Sequence, residues 1–374
     1  MLSYTIIAHL TCGAEGGKNL YQKGEHPLPV NLIRSLAIVF VLVLHATYDP
    51  LFVQQMNELE VWRWWAVNIY QTVSRTGIPL FVMLHGALLL TKSENEPLRV
   101  FFKKRWVRIG LPFVFWGVAY FAWRAFVNHE ELTSGSIVQG ILSGPYFHFW
   151  FLYMIIGVWL FTPILRIVVS HISRKVFKYF LLVWFLGPLL VPIPDLFGEY
   201  YLDSNLFVIP WWIGYFMLGV YLQNVRVRRS TLLIFMFLGF ASTAIGTYMI
   251  AATIGGPRTY FFQDYFSPTT ILASVMLFLL ILNTFKAPSS SQVETKQPKG
   301  SWLVNAISKN TLPIYLFHVM ILESLQRGYF GFTLNGNTLN SIIQVPLLAL
   351  ITLFICLGLI IPLKKIPVLK RLIS

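Results

Sequence analysis

The chain has 374 residues, 56% of them hydrophobic and only 12% charged, with a formal net charge of +14 and a mean hydropathy of +0.64. Soluble domains carry about twice that share of charge, so an ordinary soluble globule is excluded. The basic excess sits in short loops between apolar runs, which excludes nucleic acid as the partner. The two cysteines, Cys12 and Cys356, form neither a disulfide framework nor a metal pattern.

Residues 1–29 form a Gly-containing, weakly apolar stretch without a basic n-region, read as a cytoplasmic leader rather than a signal peptide. From residue 30 onward, apolar runs of about 20 residues recur. The expected fold is all-α: a polytopic integral membrane protein of about ten transmembrane helices. The spans are 30–48, 66–90, 107–127, 147–168, 176–194, 205–223, 231–254, 268–285, 303–325 and 341–362. Arg75, Gly77 and Pro79 interrupt the second of these, and broken backbone at depth is tolerated where it is buried in protein or lines a wet cavity. The segment 286–302 reads as a polar, flexible cytoplasmic linker, and 366–374 as a basic cytoplasmic tail.

Loop charge sets the expected orientation. The side holding both termini carries 21 Lys and Arg, the other only Arg63, Arg258 and Arg327. Basic loops stay cytoplasmic, so both termini are expected inside a cell (inner) membrane.

The first span, NLIRSLAIVFVLVLHA, holds an arginine and a histidine. Eleven helical steps return to within about 20° of the start and advance ~16 Å. Arg34 and His45 therefore share one face, Arg34 near the cytoplasmic entrance and His45 deeper. A guanidinium suits an anionic head group, and a neutral imidazole suits a general base. Asp49 falls four residues after His45, where it would orient the ring as a triad carboxylate does or serve only as a helix-end residue.

Further segments repeat this mixture of apolar run and isolated polar group. They are GIPLFVMLHGALLL after Arg75, FFKKRWVRIGLPFVFW, PYFHFWFLYMIIGVWLFTPILR, WWIGYFMLGVYL and NTLPIYLFHVMIL. As an ordered set with LIRSLAIVFVLVLHA, they resemble the acyltransferase 3 family of bacterial membrane proteins, over about residues 30–365. Within it the chain looks most like the ten-span O-acetyltransferases of surface polysaccharides.

The resemblance implies transfer of an acetyl or other short acyl group from acyl-coenzyme A to a hydroxyl of a cell-surface glycan or a lipid-linked sugar. Arg34 and His45 match the family's R-x(10)-H signature, Arg108 its third-span arginine motif, and His318 a polar position of its ninth-span segment. Where the family usually reads Ser-Gly in the second span, this chain has His85-Gly86.

The expected catalytic residues are thus His45, Asp49 and His318. The coenzyme phosphates fall to Arg34, Arg75, Arg105 and Arg108, with Arg105 and Arg108 on one helix face. KKRWVR also fits a plain positive-inside signal. Acceptor contacts fall to His85, His148, Trp150, Tyr153 and Tyr315. His85 also suits a hydrogen bond to a neighbouring span, and Trp150 and Tyr153 an interfacial aromatic belt.

Glu323, the one acidic residue inside an apolar run, requires a partner. No metal-ligand spacing, Gly-rich phosphate loop or nucleophile elbow is present, so direct attack on the acyl donor is expected, without metal. A rival reading fits the same spans: a transporter or exporter of a polysaccharide or small anion. Purely from sequence it is disfavoured by the absence of an internal repeat.

Overall fold

A computed structural model of the chain describes residues 29–47, 61–92, 95–194, 210–285, 301–335 and 340–373. Asp49, the expected partner of His45, lies outside them. Among the described residues the protein is helical and contains no strand.

The elements are α1 (Val30–Ala46), α2 (Val61–Ser74), α3 (Gly77–Leu89), α4 (Leu98–Arg105), α5 (Leu111–Ala122), α6 (Ser134–Ser143), α7 (Trp150–His171) and α8 (Arg174–Leu190). They continue with α9 (Trp211–Leu222), α10 (Arg229–Thr253), α11 (Pro268–Thr284), α12 (Ser301–Lys309), α13 (Thr311–Arg327), α14 (Ser341–Leu363) and α15 (Pro367–Ile373).

Helix lies over each of the ten predicted segments. Among the described residues, five helical stretches are long and apolar enough to cross a membrane: Val61–Leu89, Leu98–Val127, Ser134–His171, Arg229–Thr253 and Ser341–Leu363. This is a membrane protein whose backbone groups are satisfied within helices, as hydrocarbon requires.

Local chemistry explains the interruptions. α2 passes into α3 through a turn at Arg75–Thr76, where the Thr76 hydroxyl donates to the Val73 carbonyl at 2.7 Å. The predicted ninth span is not continuous but is divided into α12 and α13 at Asn310. Pro313 has no N–H for the carbonyl four residues back. That carbonyl, on Lys309, instead accepts the Lys364 ammonium at 3.4 Å. The stretch before the fourth span is not all loop. Thr133 caps α6 by accepting the Ser136 N–H, and Gly144, at φ 113°, ends it.

α1 sits centrally, packed against α2, α3, α12, α13 and α14. α3 lies between α1 and α9. The α3–α9 contact is backbone to backbone. A Cβ on Gly86 would stand 1.7 Å from the Phe216 carbonyl oxygen, and one on Gly219 would stand 1.9 Å from that of Met83. Small residues permit such close helix approach in membranes.

Gly219→Ala must therefore force the helices apart. Overpacking costs about 1–3 kcal/mol, so thermal unfolding in detergent, followed by tryptophan fluorescence, moves to lower temperature. Gly157→Ala, where a Cβ meets nothing within 4 Å, leaves it unchanged. Equal melting of the two variants contradicts the contact.

Candidate active site

Helices α1, α3, α7 and α13 enclose a cavity of about 500 Å³, with the π-helical turn Trp106–Gly110 and the ends of α4 and α12 at one side. One end is basic: Arg34, Lys92, Lys104, Arg105, Arg108, Lys309 and Lys364 line it, and no Asp or Glu among the described residues does. Further in, the walls are Ile38, Val41, Phe81, Phe151, Ile155 and Tyr315. The arrangement follows from α1, whose Arg34 and Ala37-Ile38-Val41 present one continuous face to the cavity.

The basic groups are held in different ways. The Arg105 guanidinium lies 3.5 Å from the Phe101 ring centroid and donates to the Phe101 carbonyl at 2.9 Å. Behind the lining, Glu96 binds Lys104 and Arg166 at 2.8 Å each, with Arg105 at 3.9 Å. Hydrogen bonds from Lys104 and Arg166 hold its carboxyl down at about 2. Arg166 is 2% exposed and also donates from Nε to the Leu89 carbonyl at 2.8 Å. Arg166 is the last residue of the segment PYFHFWFLYMIIGVWLFTPILR and has no site role in the sequence analysis. Its place four residues from the buried Thr162 on the same apolar helix was the available signal.

At the other end of α1, His45 Nδ1 lies 2.6 Å from His318 Nε2. The two rings are within 13° of parallel, with centroids 4.9 Å apart. That separation equals the N···N distance plus the two ring radii, so the imidazoles meet edge to edge in one plane and are not stacked. His318 Nδ1 lies 2.6 Å from the Tyr315 carbonyl oxygen. A carbonyl only accepts, so His318 carries its proton on Nδ1 and offers Nε2 as acceptor. His45 must then donate from Nδ1, which leaves its Nε2 as the basic nitrogen. The tautomers follow from this network.

His148 is fully buried edge-on to His318, centroids 5.5 Å apart, and neither ring nitrogen has a hydrogen-bond partner among the described residues. Its backbone carbonyl accepts the Tyr315 hydroxyl. Tyr315 therefore belongs to both places. Its side chain lines the cavity, and its backbone orients His318.

The other expected site residues are dispersed. Arg34, Arg105 and Arg108 converge on the cavity as expected, but Arg75 does not line it. The Arg75 guanidinium sits 5.1 Å from the Tyr265 ring centroid, because the α2–α3 turn directs it towards the aromatic group of Trp150, Trp212 and Tyr265. His45, expected at the cavity's inner end, is not a lining residue either, since Tyr315 occupies that position. His85 lines the cavity, and its Nδ1 donates to the Phe81 carbonyl of its own helix at 2.8 Å rather than to a neighbouring span. Tyr153 donates to the Ile141 carbonyl at 2.5 Å and does not reach the cavity. No group of three or more potential metal ligands exists among the described residues.

No curated protein and no solved structure gives a significant match to the chain. A family model described as an acyltransferase domain matches residues 30–361. That match runs from the first residue of α1 almost to the end of α14 and takes in every group of the cavity and the histidine pair except the rim lysine Lys364. The chain belongs to the acyltransferase 3 family, as a membrane acyltransferase whose domain fills nearly the whole of its length.

Proposed function

We propose that the protein moves an acetyl or other short acyl group from acyl-coenzyme A to a hydroxyl of a cell-surface glycan or lipid-linked sugar precursor. The observation that carries this reading is a cavity with seven cationic side chains and, among the described residues, no carboxylate at one end, and Tyr315, the neighbour of an ordered histidine pair, at the other. Guanidinium and ammonium groups suit the coenzyme's phosphates, and the apolar depth suits its uncharged arm. The charge of the loops favours both termini in the cytoplasm, and in that orientation the basic end of the cavity opens to the cytoplasmic donor.

In this mechanism Arg34, Arg105 and Arg108 hold phosphate and the thioester reaches the region beyond Tyr315. The acceptor oxygen attacks the thioester carbon as its proton passes to His45 Nε2. The carbonyl electron pair moves onto oxygen, then returns to expel the coenzyme thiolate, which takes the proton from His45. His318 accepts from His45 Nδ1 throughout and stabilises the imidazolium, the part a carboxylate plays in a triad.

The test is transfer of label from [acetyl-³H]-coenzyme A to saccharides by the protein in nanodiscs. Label on a saccharide hydroxyl supports the reading. Movement of saccharide or anion across proteoliposomes, with no coenzyme release, overturns it in favour of a transporter.

A further inference from the structure

Glu323 lies five residues beyond His318 on α13, about 7 Å further along the axis, at the end of the bundle away from the basic rim. Its carboxylate is the centre of a polar ring. One oxygen accepts the Trp123 indole N–H at 2.9 Å and the other accepts the Tyr146 hydroxyl. The Asn128 amide donates to Tyr146 Oη at 3.2 Å, and Arg327 donates to Asn128 Oδ1 at 2.8 Å. The ring adjoins the histidines directly, for Tyr146 and His148 flank Phe147, whose ring packs edge-on to His45 at 5.3 Å.

We propose that this ring is the acceptor's sugar-binding subsite, with Glu323 and Tyr146 as its polar anchors. The proposal rests on the acyl-transfer reading above. Four observations carry it. A carboxylate oxygen has two acceptor positions, so Glu323 keeps capacity for sugar hydroxyls after receiving one donor on each oxygen. Trp123 and Tyr146, both partly exposed, set aromatic rings beside those polar edges, Tyr146 backed by Tyr120 at 4.9 Å, and Tyr329, half exposed, stands 6.5 Å from Trp123. This is the mixture a pyranose needs: flat apolar surface for its C–H face and charged hydrogen-bond partners for its rim.

The adjoining loop is also strained. His129, next to Asn128, has φ 55°, a left-handed conformation costly for a non-glycine residue and typical of functional loops. It is pinned by the Arg124–Glu130 ion pair at 2.7 Å. Finally, the ring stands on the opposite side of the histidine pair from the basic cavity, so donor and acceptor approach His45 from two ends without competing.

The experiment uses His45→Ala protein in nanodiscs, whose turnover is strongly slowed, on an array of neutral and acetamido oligosaccharides, with acetyl-coenzyme A binding measured separately by calorimetry. The expected result is saccharide binding that weakens about tenfold or more in Glu323→Gln and in Tyr146→Phe, with coenzyme affinity unchanged. Both variants should melt close to the parent. Saccharide binding insensitive to both substitutions overturns the subsite, as does coenzyme binding with no saccharide bound. Saccharide binding that depends on Glu323 without any coenzyme binding supports the subsite and sinks the donor assignment instead.

Discussion

His45→Ala lowers the turnover of acyl transfer by about 10²–10⁴-fold, the range for loss of a general base, while donor affinity stays within about twofold. The reason is positional. His45 Nε2 is the basic nitrogen of a fixed pair, and His45 contributes nothing to the cationic rim. His318 acts through His45, so its substitutions separate orientation from simple packing. His318→Phe keeps a ring but removes the nitrogen that accepts from His45 Nδ1, and kcat falls by about 10–10³-fold with KM for the donor unchanged. His318→Gln restores part of the loss, because its amide oxygen accepts where Nε2 did. Equal rates for Phe and Gln would mean that His318 only fills space. An undiminished rate in His45→Ala would remove the base from the mechanism altogether.

Arg34→Ala and Arg108→Ala each weaken donor binding by about 10–100-fold, the worth of a hydrogen bond to a charged group. The loss shrinks with dephospho-coenzyme A as the ligand if the removed arginine met the missing phosphate. Added salt weakens the parent more than either variant, since fewer charges remain to be screened. Arg75→Ala leaves donor affinity unchanged, because that guanidinium lies over Tyr265 and not on the cavity. Calorimetry on the three variants in nanodiscs checks the set. A donor loss confined to Arg75→Ala would relocate the phosphate site to the aromatic group.

Much of the fold was legible because it is periodic. A helix repeats every 3.6 residues, so Arg34 and His45 were assigned to one face of α1 from their spacing alone, and Arg34 with Ala37, Ile38 and Val41 now lines the cavity. The break before Gly77 was equally local. The division of α12 from α13 is written in Pro313 and in the polar Ser308-Lys309-Asn310-Thr311 before it, but the apolar residues on either side make the two helices look like one span.

What could not be read is the pairing of distant residues. His45 and His318 are 273 positions apart, and no spacing rule joins them. Arg166 looked like any loop arginine until α7 was seen to bury it against Glu96 and the Leu89 carbonyl. The partners of Glu323 come from α13's contacts with Trp123 and Tyr146, again far along the chain.

The Tyr315 carbonyl that receives the His318 proton is main chain, and this has a consequence for how the site can vary. Position 315 could exchange its phenol for another side chain, reshaping the pocket wall, without reversing which nitrogen of either imidazole bears hydrogen. Substrate fit and proton bookkeeping at this point of the molecule are thereby separable, one assigned to a replaceable group and the other to the invariant backbone.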